Sequence, residues 1–126
     1  MKVKIPMKLE RFKDTTHVND VLHCAIERCI FNKGYRVCIA TANRMTAEEV
    51  YELVANYMLG LDTIYATFNS YDLRIKFHNG SYIVFRSNIR SVIGYAFNYM
   101  AVHHDVDAES LNMYYAPLLR DYYDSL

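Results

Sequence analysis

The stretch IKFHNGSYIVFRS, residues 75–87, decides the fold because it predicts two antiparallel strands joined by a tight turn. Apolar and polar residues alternate around Asn79-Gly80, the dipeptide that most strongly favours a two-residue hairpin turn. With such a turn Ile75 faces Val84 across the ribbon. One face of the ribbon then carries the following side chains: Leu73, Ile75, Phe77, Tyr82 and Val84.

A helix and a buried strand are predicted well before the hairpin. Apolar residues recur at helical spacing over residues 15–34, and Gly34 stands where a left-handed residue ends a helix. Three residues are candidates for the N-cap: Asp14, Thr15 and Thr16. YRVCIATA (35–42) follows as a short apolar run rich in β-formers, which predicts a buried strand.

A second helix is predicted over residues 46–60. Thr46 and Glu49 have the spacing of a capping box, and Gly60 ends the apolar stripe. Two strand-like runs, 62–68 and 71–77, lead into the hairpin.

The remaining segments complete the predicted fold. Residues 3–9 could form an edge strand, residues 97–105 read as another buried strand, and Asp107 is a candidate N-cap for a short helix over 109–116. Helices between buried strands imply parallel pairing with right-handed crossovers. We therefore expect an α/β fold with three layers and a mixed, mainly parallel sheet that includes a β-hairpin.

The composition narrows the class of protein. A chain of 126 residues with 52% hydrophobic and 22% charged residues suits a single globular domain over residues 1–126. Lys plus Arg and Asp plus Glu number 14 each, so no net charge draws the protein to nucleic acid or anionic lipid. Three cysteines without a CxxC pair indicate buried thiols, and no apolar run reaches the ~18 residues of a membrane span. We expect a cytoplasmic protein with no membrane contact.

The order of these elements resembles the ATPase core of phage terminase large subunits and related helicase-like P-loop NTPases. Three segments carry the resemblance, which covers about residues 5–112: IATANRMTAEEV (39–50) is similar to a strand-end motif and its helix, IKFHNGSYIVFRS (75–87) to the family hairpin, and IGYAFNYMAVHHDVDAES (93–110) to the approach to Walker B. The resemblance implies a P-loop-NTPase-like fold and a phage origin, which would place the protein in the host cytoplasm.

The resemblance also places a degenerate Walker A position at Lys13, Asp14, Thr15 and Thr16. A working phosphate loop needs glycines so that backbone N–H groups can wrap a phosphate, and a lysine to reach its oxygens. The stretch LERFKDTTHV (9–18) contains no glycine, and Asp14 stands at the lysine position. A negative charge there repels the triphosphate that the family binds.

A degenerate Walker B position is implied at Asp105, Val106 and Asp107. Asp105 takes the place of the magnesium-binding aspartate, but Val106 stands where the family has the glutamate that activates water. Valine has no proton-accepting group. The resemblance therefore implies a pseudo-ATPase without catalytic residues or cofactor, which acts by binding a protein partner such as a host or phage factor.

Two enzymatic alternatives use the same stretch. A metal-dependent nuclease or a nucleotide hydrolase would use Asp105 and Asp107, with Glu109 as a further carboxylate. His103, Asp105 and Asp107 are weak candidates for metal ligands, because His103 and Asp105 share one face of a strand while His104 points the other way. No spacing matches a zinc signature, so polar residues at a strand end are the simpler interpretation.

Nucleic acid is a second class of partner that the sequence allows. Arg74 and Lys76 lie on the hairpin beside Tyr71 and Tyr82. Basic residues next to aromatic rings can hold single-stranded nucleic acid. An ordinary solvated ribbon face explains the same residues, and the balanced charge favours that interpretation.

Another protein is the first class of partner, and a homo-oligomer is compatible with the same residues. Tyrosine is favoured at interfaces, and residues 114–126 contain four of them. Tyr114 and Tyr123 lie outside the predicted apolar stripe and are candidate contacts. Ile83 and Phe85, on the other face of the ribbon, form a further candidate surface if no helix covers them.

Overall fold

The computed structural model describes residues 9–61, 65–92 and 95–119. Among these residues, six strands form one sheet and two long helices pack on it. The strands are β1 (Leu9–Phe12), β2 (Arg36–Ala40), β3 (Ala66–Asn69), β4 (Arg74–Phe77), β5 (Tyr82–Arg86) and β6 (Tyr99–His103). The helices are α1 (Asp20–Phe31), α2 (Arg44–Leu59) and α3 (Ala108–Ser110).

The strand order in the sheet is β1-β6-β2-β5-β4-β3. β1, β6, β2 and β5 pair in parallel, whereas β4 is antiparallel to β5 and β3 is antiparallel to β4. The predicted α/β class and mixed sheet are confirmed. The prediction that the sheet is mainly parallel is wrong, because β3, β4 and β5 follow one another through short turns, and short turns join antiparallel neighbours.

The two faces of the sheet bury different sets of side chains. Val37 and Ile39 of β2 face α1 and α2, in a cluster that also contains Ile83 and Phe85 of β5. Cys38 of β2 faces the opposite side. Single turns of helix cover that side: 3₁₀ turns at Ile89–Val92 and Ala116–Leu118, α3, and a π-helical turn at Leu111–Tyr115.

The hairpin between β4 and β5 has a different register from the predicted one. Ile75 pairs with Ile83 and Arg74 with Val84, one residue away from the expected pairing. The turn is longer: the Phe77 N–H donates to the Ser81 carbonyl, and Gly80 takes a φ of 89°. Three-residue hairpin loops of this kind place a left-handed glycine at their last position.

The side chain of Asn79 explains the longer turn. Its Nδ2 donates to the Cys29 carbonyl at the end of α1, at 2.8 Å, and its Oδ1 accepts from the Ser81 N–H. The Ser81 hydroxyl donates in turn to the Asn32 carbonyl at 2.6 Å and accepts from the Tyr35 N–H. The turn therefore satisfies backbone groups that α1 leaves open at its C-terminus.

Both long helices begin at asparagines rather than at the predicted caps. Asn19 accepts from the Leu22 N–H, so α1 starts five residues later than expected. Asn43 accepts from both the N–H and the hydroxyl of Thr46, so Thr46 lies inside α2 and its predicted capping box is wrong. Asparagine caps helices as well as aspartate or serine does and better than threonine. The left-handed Gly34 (φ 67°) and the Asp107 cap were predicted correctly.

Several predicted features lie outside the described residues. The predicted edge strand over 3–9 falls there except for its last residue, as do residues 62–64 of the next strand-like run. Tyr123 also lies outside them. None of the helices among the described residues is long and apolar enough to cross a membrane.

Candidate functional site

The carboxyl ends of β1, β6 and β2 bring the candidate acidic and histidine residues together. His103, at the end of β6, places Nδ1 2.7 Å from Oδ1 of Asp105. Its Nε2 lies 3.1 Å from the backbone carbonyl of Lys13, after β1. The same Asp105 oxygen accepts from the Ala42 N–H, after β2, at 3.1 Å. One His–Asp pair therefore links three neighbouring strand ends.

The His103 ring lies between two acceptors. Its Nδ1 faces the Asp105 carboxylate and its Nε2 faces the Lys13 carbonyl, and each nitrogen donates when it carries a proton. The ring is 6% exposed and packs edge-on against Phe12, with centroids 5.1 Å apart. The His103–Asp105 pair is thus a largely buried link between the ends of β1, β6 and β2, and we call it the brace.

The segment after β6 is held from β1 as well. Arg11 donates through Nη2 to the carbonyls of His103 (3.1 Å) and Val106. Val106 is 4% exposed and belongs to the smaller apolar cluster. Burial in that core accounts for a valine at this position without reference to catalysis.

The residues predicted as a degenerate Walker A position form a local turn. Asp14 accepts from the Thr16 N–H at 2.7 Å and from the Thr16 hydroxyl at 2.6 Å. These hydrogen bonds hold the pKa of the exposed Asp14 carboxyl below its usual value. The acid and the hydroxyl that the resemblance places here are therefore bonded to each other.

Asp107 caps α3. Its carboxylate accepts from the Ser110 N–H at 2.9 Å, and that bond lowers the pKa of the Asp107 carboxyl. It does not join the pair formed by His103 and Asp105. Within residues 9–61, 65–92 and 95–119, no three His, Cys, Asp or Glu side chains form a group that could hold a metal ion.

Comparisons with protein-family models, with curated proteins and with solved structures find no match to this chain.

Ile83 and Phe85, the apolar candidate surface on the hairpin, are buried. Ile83 is 0% and Phe85 is 1% exposed, because the shifted register turns both towards α1 and α2. The ring of Phe85 meets that of Tyr51 of α2 at 5.4 Å between centroids. Their assignment as an interaction surface is wrong, and the Asn79 turn is the physical reason.

The basic residues of the hairpin are partly neutralised. Arg74 lies 3.4 Å from Asp72 and sits over the Tyr82 ring, while Arg86 donates to the Asp72 and Leu73 carbonyls. Lys76 is exposed. Asp72 is the carboxylate near both arginines, so it offsets one of the three positive charges of Arg74, Lys76 and Arg86.

Sequence reasoning missed a group of exposed apolar side chains. Phe31, Leu59 and Tyr65 are 79%, 66% and 74% exposed, and Leu61 is 37% exposed. Helices that follow parallel strands return to the amino ends of those strands, so the ends of α1 and α2 and the start of β3 share one edge of the sheet. The sequence did indicate their exposure, since each of these residues lies outside the apolar stripe of its helix or beside a turn.

Sequence reasoning also missed a cavity of about 280 Å³ at the opposite edge. Residue pairs that follow β2, β5 and β6 line its floor: Thr41-Ala42, Ser87-Asn88 and Val106-Asp107. Ser110, Tyr114 and Tyr115 close its other side. Tyr114 is 52% exposed, as its candidate role as a contact residue requires.

Proposed function

We propose that the protein is a non-catalytic binding module whose partner is another protein. The observation that carries the proposal is the bonding of Asp105. Its Oδ1 already accepts from the His103 ring and from the Ala42 N–H, and so the residue works as a link between strands. A residue with this structural task has little freedom to bind magnesium or to move a proton.

The position of the His103 ring supports the same proposal. Its Nδ1 lies 2.7 Å from Asp105 Oδ1, in the place that a metal cation would take beside that oxygen. A metal ion there would have to displace the ring and break a partly buried hydrogen bond. The nuclease and hydrolase alternatives require that cation, and the geometry favours them less than a binding role.

We assign the partner to the amino edge, which is the edge of the sheet where the amino ends of the parallel strands lie. The exposed apolar residues there are Phe31, Leu59, Leu61 and Tyr65. Large exposed apolar side chains along one edge of a sheet favour association with another protein. The neutral balance of charge makes nucleic acid the less favoured partner. The relationship to terminase and helicase ATPases stays a prediction.

The proposal is tested by affinity capture with two matched double variants. Phe31→Ser with Leu59→Ser removes apolar area from the amino edge, and Met45→Ser with Tyr71→Ser removes similar exposed area elsewhere. Each variant changes exposed side chains, so its stability should stay within about 0.5 kcal/mol of wild type. We expect a specific partner to be retained by wild type and by the Met45/Tyr71 variant and lost by the Phe31/Leu59 variant.

An enzymatic assay of the same preparations provides the opposing outcome. Wild type and Asp105→Asn are incubated with plasmid DNA or ATP in the presence of Mg²⁺ or Mn²⁺. Turnover by wild type that Asp105→Asn abolishes would overturn the proposal in favour of a metal-dependent hydrolase. Loss of the partner from both double variants equally would remove the amino edge as the binding surface.

A further inference from the structure

The cavity lies where open α/β sheets bind ligands. It sits outside the carboxyl ends of three adjacent strands, β6, β2 and β5. The chain leaves β2 towards the α1–α2 face and leaves β5 and β6 towards the opposite face. Loops that depart to opposite sides of neighbouring strands open a crevice between them, and ligands of such sheets occupy that crevice.

A tyrosine side chain lines this cavity. Tyr115 is 5% exposed and belongs to the lining. Burial raises the pKa of Tyr115 to about 12, so the hydroxyl stays protonated and can donate.

The backbone around Tyr115 is also unusual. Leu111–Tyr115 forms a π-helical turn, a rare conformation that occurs frequently at functional sites. The turn brings two consecutive tyrosines, Tyr114 and Tyr115, to the same cavity. Tyr114 is half exposed, and an accessible aromatic ring can stack on a ligand ring.

The charge of the lining selects against anions. Asp107 is its one charged side chain among the described residues, and no lysine or arginine takes part. The other polar groups are neutral hydroxyls and an amide, from Thr41, Ser87, Asn88 and Ser110. Asp107 and the Thr41 oxygen can accept hydrogen bonds, and Tyr115 can donate one.

We propose that this cavity binds a small uncharged ring that carries several hydroxyl groups. Such a ring donates to Asp107, accepts from Tyr115 and stacks on Tyr114. The volume lies just below the usual range of roughly 300–1,000 Å³ for ligand sites, which suits a ligand of one or two rings. Nucleosides and monosaccharides share this chemistry, whereas a nucleotide carries phosphate charge that Asp107 repels. The proposal is independent of the protein-binding role at the amino edge.

Ligand-observed NMR tests the proposal with three probes: adenosine, glucose and adenosine monophosphate. We expect saturation transfer to adenosine or glucose at millimolar concentration, and the responding probe identifies the source of the ring. Binding of the monophosphate should be at least tenfold weaker than that of adenosine. Absence of transfer to both neutral probes, or tighter binding of the monophosphate, would overturn the proposal.

Two conservative variants locate the binding. Tyr115→Phe and Ser87→Ala each remove one hydroxyl from the cavity, and each should weaken binding about threefold to tenfold. Tyr82→Phe removes the hydroxyl of a half-buried tyrosine at the start of β5, outside the cavity lining, and serves as the matched control. Unchanged affinity in both cavity variants would show that the ligand binds elsewhere and would overturn the assignment to this cavity.

Discussion

The two faces of the sheet are covered in different ways. On one face α1 and α2, of 12 and 16 residues, lay regular apolar stripes over the central strands. On the other, a series of single helical turns covers a smaller cluster and leaves a cavity at the strand ends. Regular helices pack closely along their length, whereas single turns leave gaps. We infer that the first face supplies most of the stability and the second supplies the space for a ligand.

The largest expected effect compares a core truncation on each face. Phe85→Ala, under α2, should lower the free energy of unfolding by about 3–5 kcal/mol, because regular helices cannot collapse into the space left by the ring. Met100→Ala, on the other face, should lower it by an amount near the lower end of about 2–5 kcal/mol, because single turns can settle into the gap. Both side chains are fully buried. Urea unfolding measures the two values.

Equal losses in these two variants, or a larger loss for Met100→Ala, would break the comparison. Such a result would mean that the irregular cover is as rigid as the helices. Ile83→Ala provides a second truncation on the helix-covered face, from the neighbouring strand position on the same side as Phe85. A large loss for Ile83→Ala as well would show that the effect belongs to the face and not to the aromatic ring of Phe85.

The next effect concerns the brace at the strand ends. Asp105→Asn weakens the bond to His103 and leaves its imidazole beside a neutral amide, so we expect a loss of about 2–3 kcal/mol in the free energy of unfolding. The loss should fall below that of a fully buried pair, because the Asp105 side chain is 23% exposed. A double-mutant cycle with His103→Gln isolates the coupling between the two side chains.

A coupling near zero in that cycle would contradict the brace. Exposed pairs provide the matched control, since Arg44 and Glu48 of α2 lie 3.0 Å apart with more than half of each side chain in solvent. Their coupling should be only about 0.3–0.5 kcal/mol. A similar value for His103 and Asp105 would show that burial adds nothing.

Local signals in the sequence predicted most of the elements on the helix-covered face. Asn79-Gly80 and the alternation around it correctly predicted a hairpin, and Gly34 correctly predicted a left-handed turn after α1. The register was not predictable in this way. It depends on the bond from Asn79 to the Cys29 carbonyl, 50 residues away in sequence. A tertiary contact of that kind overrides the preference of the dipeptide for a two-residue turn.

The candidate site was predicted only in part. Strand alternation correctly placed His103 and Asp105 on one side, where they meet at 2.7 Å. It did not indicate the role of the pair. The Lys13 carbonyl and the Ala42 N–H, which contact the pair, follow strands that are far away in the sequence. The cavity was missed for a related reason. It depends on a π-helical turn over Leu111–Tyr115, for which no simple sequence signal exists.

A smaller effect tests the docking of the hairpin turn on α1. Asn79→Ala removes the donor to the Cys29 carbonyl and the acceptor of the Ser81 N–H. We expect a loss of about 1–2 kcal/mol in the free energy of unfolding. Asn32→Ala is the matched control, because its side chain makes one exposed bond to the Arg28 carbonyl. Equal losses of unfolding free energy for Asn79→Ala and Asn32→Ala would show that the contact between the turn and α1 does not stabilise the fold.

The smallest effect concerns α3, one of the single helical turns that cover the second face of the sheet. The hydrogen bond from Ser110 depresses the folded-state pKa of Asp107, so the carboxylate contributes stability above the unfolded value of 3.8 and loses it as the pH falls through the lower folded value. Asp107→Asn keeps an amide oxygen for the α3 cap but removes the titrating group. Wild type should therefore lose its advantage over Asp107→Asn on acidification below about pH 4, measured by urea unfolding across that range. The side chain is exposed, so the difference will be small. A constant difference across the whole range would show that the charge of Asp107 plays no part in holding the cover above the cavity.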